Sequence, residues 1–120
     1  MARYNLTTAI PYVNGRPHIG HALELVQADV LARHRRQRGD EVRFQSGTDD
    51  NALKNVRAAE AEGISTKEYV TRAAEGFEDL KHVLDLSLDD FIRTSSDERH
   101  APGVEELWRR CAHDLYRKAY

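Results

Sequence analysis

His18 and His21 are the two side chains whose spacing most directly offers chemistry. They close the run Thr7-Thr8-Ala9-Ile10-Pro11-Tyr12-Val13-Asn14-Gly15-Arg16-Pro17-His18-Ile19-Gly20-His21. Residues three apart in a helix share a face, so the imidazoles present donors side by side. A helix that starts at His18 adds the unpaired N–H groups of its first turn and the positive end of its dipole. Such an end holds anions, phosphate above all, and Gly20 lets a ligand come close to the backbone. The chemistry on offer is the grip of a phosphate chain. Two other uses of the pair stay open: a capping or surface pair, and a metal site completed by a carboxylate.

These residues need elements to position them. Pro11 and Pro17 push the residue before each away from helix, and Asn14-Gly15 is a turn signal, so the layout is strand, loop, helix N-terminus. Residues 4–10 read as a buried strand with Leu6, Ala9, Ile10 and β-branched Thr7 and Thr8. A helix over 19–38 carries Leu23, Val26, Val30 and Leu31 at helical spacing and stops at Gly39. Its last turn is rich in arginine, which suits a solvated helix end or a contact with a nucleic acid or other partner. Residues 41–46 alternate as a second strand and hand over through Gly47-Thr48-Asp49-Asp50, where Thr48 or Asp49 is placed to cap the next helix.

That helix, over 51–62, has a thin apolar face and reads as peripheral. Ser65-Thr66-Lys67-Glu68 is a capping box opening a helix with Val70, Ala73, Ala74, Phe77, Leu80 and Leu84 in register. Phe91-Ile92-Arg93 is a short strand. Ser95-Ser96-Asp97-Glu98 is a second capping box, before a stripe of Val104, Leu107, Trp108, Cys111, Leu115 and Ala119, with Phe77, Trp108 and Cys111 expected in the core. Strands alternating with helices predict a doubly wound parallel α/β sheet. Three strands are few for it, and a helical pattern running into Tyr120 without a cap reads as part of a longer fold.

The 120 residues are 40% hydrophobic and 32% charged, with a formal net charge of −2. That composition is globular and argues against a general nucleic-acid coat. Cys111 is the single cysteine, which excludes an intrachain disulfide and a thiolate zinc cluster. With no apolar run of membrane-spanning length and no signal peptide, the expected compartment is the cytoplasm, with no membrane partner.

His18-Ile19-Gly20-His21 resembles the HIGH motif of class I aminoacyl-tRNA synthetases. The preceding Thr8-Ala9-Ile10-Pro11-Tyr12-Val13-Asn14-Gly15 is similar to the first strand and loop of the methionyl-tRNA synthetase family within that class. Gln27-Ala28-Asp29-Val30, Arg38-Gly39-Asp40-Glu41-Val42 and Phe91-Ile92-Arg93-Thr94-Ser95 are also similar to it. The family's Gly-Thr-Asp-Glu-His-Gly stands here as Gly47-Thr48-Asp49-Asp50-Asn51-Ala52, matching in its first three positions.

The resemblance implies a Rossmann-like doubly wound sheet, present as the N-terminal half of a nucleotide-binding catalytic domain over residues 1–120, with no anticodon-binding domain. It implies that His18 and His21 are catalytic and face the ATP phosphates. Gly20 would give adenosine room, and Asn14 and Gly15 would shape the phosphate-side loop. Ala9, Ile10 and Tyr12 would line the methionine pocket, and Asp49 would hold the ammonium group. The implied partners are ATP with Mg2+, methionine, tRNA (mainly through segments absent here) and the remainder of a synthetase, with no metal held by this segment.

Amino-acid activation suits these residue types. A carboxylate attacks the α-phosphorus and pyrophosphate leaves, which needs alignment and charge stabilisation more than proton transfer. An acid such as Asp49 repels phosphate and attracts the cation that a free amino acid carries. The family's Lys-Met-Ser-Lys-Ser loop has no counterpart, since the lysines are Lys54, Lys67, Lys81 and Lys118. The alternative expectation is therefore a short protein that binds ATP or an amino acid, or docks on a partner, without ligase activity.

Overall fold

The computed structural model describes residues 1–111. Their order is β1 (Arg3–Thr7), α1 (Ile19–Gln37), β2 (Glu41–Thr48), α2 (Leu53–Glu62), α3 (Thr66–Glu78), α4 (Leu80–Val83), β3 (Asp90–Arg93) and α5 (His100–Cys111). The sheet of the described residues has three parallel strands with β2 in the middle. Parallel neighbours require long crossovers, and helices supply both, giving the expected Rossmann-like α/β architecture. Register pairs Leu6 with Phe44 and Ser46 with Phe91, so these residues share one face of the sheet. α1 packs on that face through Ala28 and Ala32 against Phe44, while Phe77 of α3 joins a cluster that includes Phe91. The opposite face is polar, with Arg3 paired to Glu41 and Arg43 to Asp90. Among the described residues no helix is long and apolar enough to cross a membrane.

α1 differs from its expected packing. Leu23, Val26, Val30 and Leu31 are between 39 and 60% exposed, and the buried residues are Ala28, Asp29 and Ala32. Small side chains let the helix close on the fully buried Phe44 ring, so the larger apolar residues fall on the neighbouring face. Asp29 tolerates burial because the Ser87 N–H and hydroxyl each donate to its carboxylate at 2.6 Å, as does Arg33 Nε. Burial pushes this carboxyl up, but the bonds from Ser87 and Arg33 outweigh it and hold it below the usual range.

Three arginines of the run stay partly solvated, as a helix end allows, yet each is also engaged within the molecule. Arg33 also donates to the Asp85 carbonyl, and Arg36 pairs with Asp89 at 2.7 Å. Arg35 lies over the Tyr4 ring at 4.6 Å and pairs with Asp40. α1 then stops at Gly39, whose φ of +85° only glycine adopts easily.

Several boundaries move. β1 ends at Thr7 rather than Ile10, and its residues alternate exposed and half-buried because only the face carrying Leu6 is covered, by the cluster under α1. The chain leaves the sheet as Ala9 N donates to Glu24 at 2.8 Å. β2 runs two residues past Ser46, because Gly47 has no Cβ, which would lie 2.2 Å from the Ile92 carbonyl oxygen. α2 starts at Leu53 with Ala52 as an N-cap lacking a side-chain bond, so neither Thr48 nor Asp49 caps it. Their oxygens are engaged locally instead, Thr48 Oγ1 with Asp50 and Asp49 Oδ1 with Asn51 N.

Ser65 does cap α3, accepting from Glu68 N at 3.2 Å. The helix breaks at Asp79 instead of continuing to Leu84, and the turn delivers Leu84, Leu86 and Leu88 to the Phe44 cluster. Ser95–Glu98 is not a cap: α5 begins at His100 after a turn in which Asp97 accepts from Arg99 N. Val104, Leu107 and Trp108 are 49–62% exposed rather than core, since no sheet face or core cluster of the described residues lies against them, and Cys111 is half-buried. The expected stripe positions Leu115 and Ala119, and Tyr120, lie outside the described residues.

Candidate active site

His18 is the N-cap of α1, and the two histidines cap it reciprocally. His18 Nδ1 accepts from Gly20 N at 3.1 Å, while His21 Nδ1 accepts from His18 N at 3.2 Å. The pattern is that of a capping box with imidazoles in place of the usual hydroxyl and carboxylate. The rings stack at 3.8 Å, and His21 meets the edge of Phe77 at 5.1 Å. An Nδ1 that accepts carries no proton, so in each neutral ring Nε2 is the N–H donor. Burial, and next the neighbouring His18, push the His21 pKa down against a weaker opposing pull from Glu24, which favours this neutral form. The first turn of α1 contains no acidic side chain. The geometry also gives Gly20 a reason beyond ligand approach: a Cβ there would sit 2.9 Å from His18 Cε1.

On the other side, Asp49 N donates to the Pro11 carbonyl at 2.9 Å, and Tyr12 bridges to Asp49 in parallel register. The loop after β1 is thus zipped to the end of β2. Asp49 is half-buried and has no ion-pair partner among the described residues, unlike its neighbour Asp50, which is buried beside Arg93. Ala9, Ile10 and Tyr12 are exposed and form an open shelf rather than an enclosed pocket. Asn14 is exposed, and Gly15 belongs to a groove wall facing Tyr69 and Arg72. The small cavity beneath, touching Thr8, His21 and Phe77, measures about 20 Å³, room for roughly one water and not for a substrate side chain.

The start of α1 and the end of β2 therefore lie at the carboxyl end of a parallel sheet, where open α/β folds bind ligands. The arrangement offers an anion imidazole Nε2–H donors and the positive end of the helix dipole, since the Gly20, His21 and Ala22 N–H groups are bonded within the cap, and it offers a cation the Asp49 carboxylate. Among the described residues no group of three His, Cys, Asp or Glu side chains gathers around His18 and His21. Sequence reasoning missed the buried Asp50 and Asn55 and the half-buried Arg93, whose Nε is shielded, around the end of β2. Nothing local signals them, because their partners lie on other elements.

The fold and the site define an α/β domain that meets its ligands at a helix start beside the strand ends. The chain belongs to the tRNA synthetases class I (M), whose family model matches residues 4–120. It is similar to the methionine–tRNA ligase of Rhizobium meliloti (strain 1021), 44% identical over 119 residues, covering 98% of this chain and 23% of that protein. The methionine–tRNA ligase of Mycobacterium leprae (strain TN) is 43% identical over 122 residues, covering 100% of this chain and 22% of that one. The solved Mycobacterium tuberculosis methionyl-tRNA synthetase in complex with methionyl-adenylate superposes with a TM-score of 0.87 at 42% identity. That match covers 93% of this chain and 22% of the solved one. The chain spans less than a quarter of the length of these relatives.

Proposed function

We infer that residues 1–120 form the N-terminal part of the catalytic domain of a methionine–tRNA ligase, working in the cytoplasm. The activity is attack of the methionine carboxylate on the α-phosphorus of ATP. The bond from that phosphorus to the bridging oxygen breaks, pyrophosphate leaves with Mg2+ on its oxygens, and methionyl-adenylate remains for transfer to tRNA. Binding of tRNA belongs mainly to segments outside this chain. His18 and His21 donate from Nε2 to phosphate oxygens, with Asn14 and Gly15 beside them and Gly20 under the adenosine. Asp49 holds the ammonium group, and Ala9, Ile10 and Tyr12 border the methionine.

The observation that carries this reading is the reciprocal cap. By engaging each Nδ1 it fixes two imidazoles as neutral Nε2 donors at a helix start free of acidic side chains. The test joins this chain to the remaining catalytic segments of the R. meliloti ligase and follows methionine-dependent ATP–pyrophosphate exchange. Exchange is expected, and His21→Ala should cut its rate at least roughly tenfold. An unchanged rate removes His21 from the mechanism.

A second reading, an ATP- or amino-acid-binding protein without ligase activity, draws on the same helix start with its two Nε2 donors, which suits phosphate binding alone. It expects ATP binding by the 120-residue chain in calorimetry and no exchange after joining.

A further inference from the structure

Asp50 is 4% exposed, with a side chain fully shielded from solvent. Its Oδ1 accepts from Thr48 Oγ1 at 2.7 Å. Its Oδ2 accepts no hydrogen bond and faces Arg93 Nε, equally unbonded, at 3.5 Å. Arg93 continues to α3, where its Nη2 reaches Thr71 Oγ1 at 3.4 Å. The Asp50 main chain is held on both sides: its N donates to Thr94 Oγ1 at 3.0 Å, and the buried Asn55 on α2 donates from Nδ2 to its carbonyl at 2.8 Å. One residue thus ties together β2, the end of β3 and α2.

Burying a carboxylate and a guanidinium costs desolvation energy that this pair does not recover through an ideal charged contact of roughly 2.7–2.9 Å. An apolar pair of similar volume would suit stability as well or better. What the charged pair adds is geometry, because it admits one arrangement of the strand end. The residue it immobilises is followed back, through one peptide bond, by Asp49, whose N–H must reach the Pro11 carbonyl and whose Oδ1 receives Asn51 N.

We propose that Asp50, paired with Arg93 and clamped by Thr94 and Asn55, is a positioning residue that sets the Asp49 carboxylate at the mouth of the site. The proposal rests on the reading of Asp49 as the ammonium-binding group. Asp50 touches no substrate; it acts through its neighbour.

The test uses the joined ligase described above, isotope-labelled in this segment, and amide hydrogen exchange by NMR, comparing the Asp49 amide with that of Phe44 deeper in the same strand. Asp50→Asn and Thr94→Val should each lower protection at Asp49 roughly tenfold more than at Phe44, and Thr94→Ser, which keeps the hydroxyl, should restore it. A fall shared equally by both amides, or no fall at Asp49, overturns the proposal and leaves Asp50 a general stability residue. Should Asp50→Asn fail to fold, the Thr94 pair decides alone. A parallel titration of the unsubstituted joined ligase with L-methionine and with its des-amino analogue, 4-(methylsulfanyl)butanoate, separates the two readings. Shifts at Asp49 with both ligands or with neither remove the ammonium-binding role without touching the exchange result.

Discussion

The two ends of α1 handle charge in opposite ways. At its C-terminal end Arg33, Arg35 and Arg36 complement the helix dipole, and each is matched by an acid: Asp29 and Asp85, Asp40, and Asp89. At its N-terminal end the first turn has no acid, and the caps are neutral imidazoles. One end is electrically closed and serves as a joint to the α4–β3 segment through Ser87. The other satisfies its backbone with nitrogen acceptors and leaves the positive potential for something brought from outside. A helix can therefore be a strut at one end and a receptor at the other.

The comparison breaks hardest at Asp29. Asp29→Ala orphans the Ser87 N–H and hydroxyl and leaves Arg33 only its Asp85 contacts, so unfolding should become easier by about 3 kcal/mol. Thermal denaturation should show a fall in Tm of roughly 10 °C. A fall of only a degree or two would mean the joint is dispensable.

A substitution at the other end sharpens the contrast by splitting capping from anion binding. Asparagine caps helices well but has no ring Nε2. His18→Asn should hold stability within about 0.5 kcal/mol while weakening pyrophosphate binding roughly tenfold, as measured by titration calorimetry. Retained affinity would assign anion binding to the backbone alone.

Acid should separate the ends by smaller steps. The folded His21 pKa lies below the unfolded value of about 6.5, so the stability its neutral ring supports is present above that pH and lost as the pH falls beneath it. The Asp29 carboxyl is also held low, so its contribution persists to about pH 4 and goes only as the pH drops further. Followed by NMR, the Gly20 amide should respond before the Ser87 amide; one shared step would contradict the separation.

The chain's punctuation was legible in its sequence, because turns and caps are local. Gly39 and Gly63 sit at positive φ where they end helices, and Ser65 caps as its spacing to Glu68 implies. Which side of a helix meets the sheet was not legible. α1 has two apolar faces, and periodicity cannot choose between Leu23-Val26-Val30 and Ala28-Ala32 without knowing that Phe44 lies opposite. The site divides the same way. His18 and His21 stand out by type and spacing and Asp49 through the resemblance of Gly47-Thr48-Asp49, whereas Asp50 and Arg93 are 43 positions apart and meet only after β2 and β3 align.

The closeness of His18 to Gly20 couples the two positions in one direction. The ring of one occupies the volume that any Cβ at the other would need, with contacts at 2.9 and 3.0 Å. Alanine at position 20 is harmful while histidine stands at 18, and trimming 18 to serine should relieve it, a positive epistasis that a double-mutant cycle reads directly. Variation is therefore ordered: position 18 can change while glycine stands at 20, whereas a side chain at 20 needs the ring at 18 to move or go first.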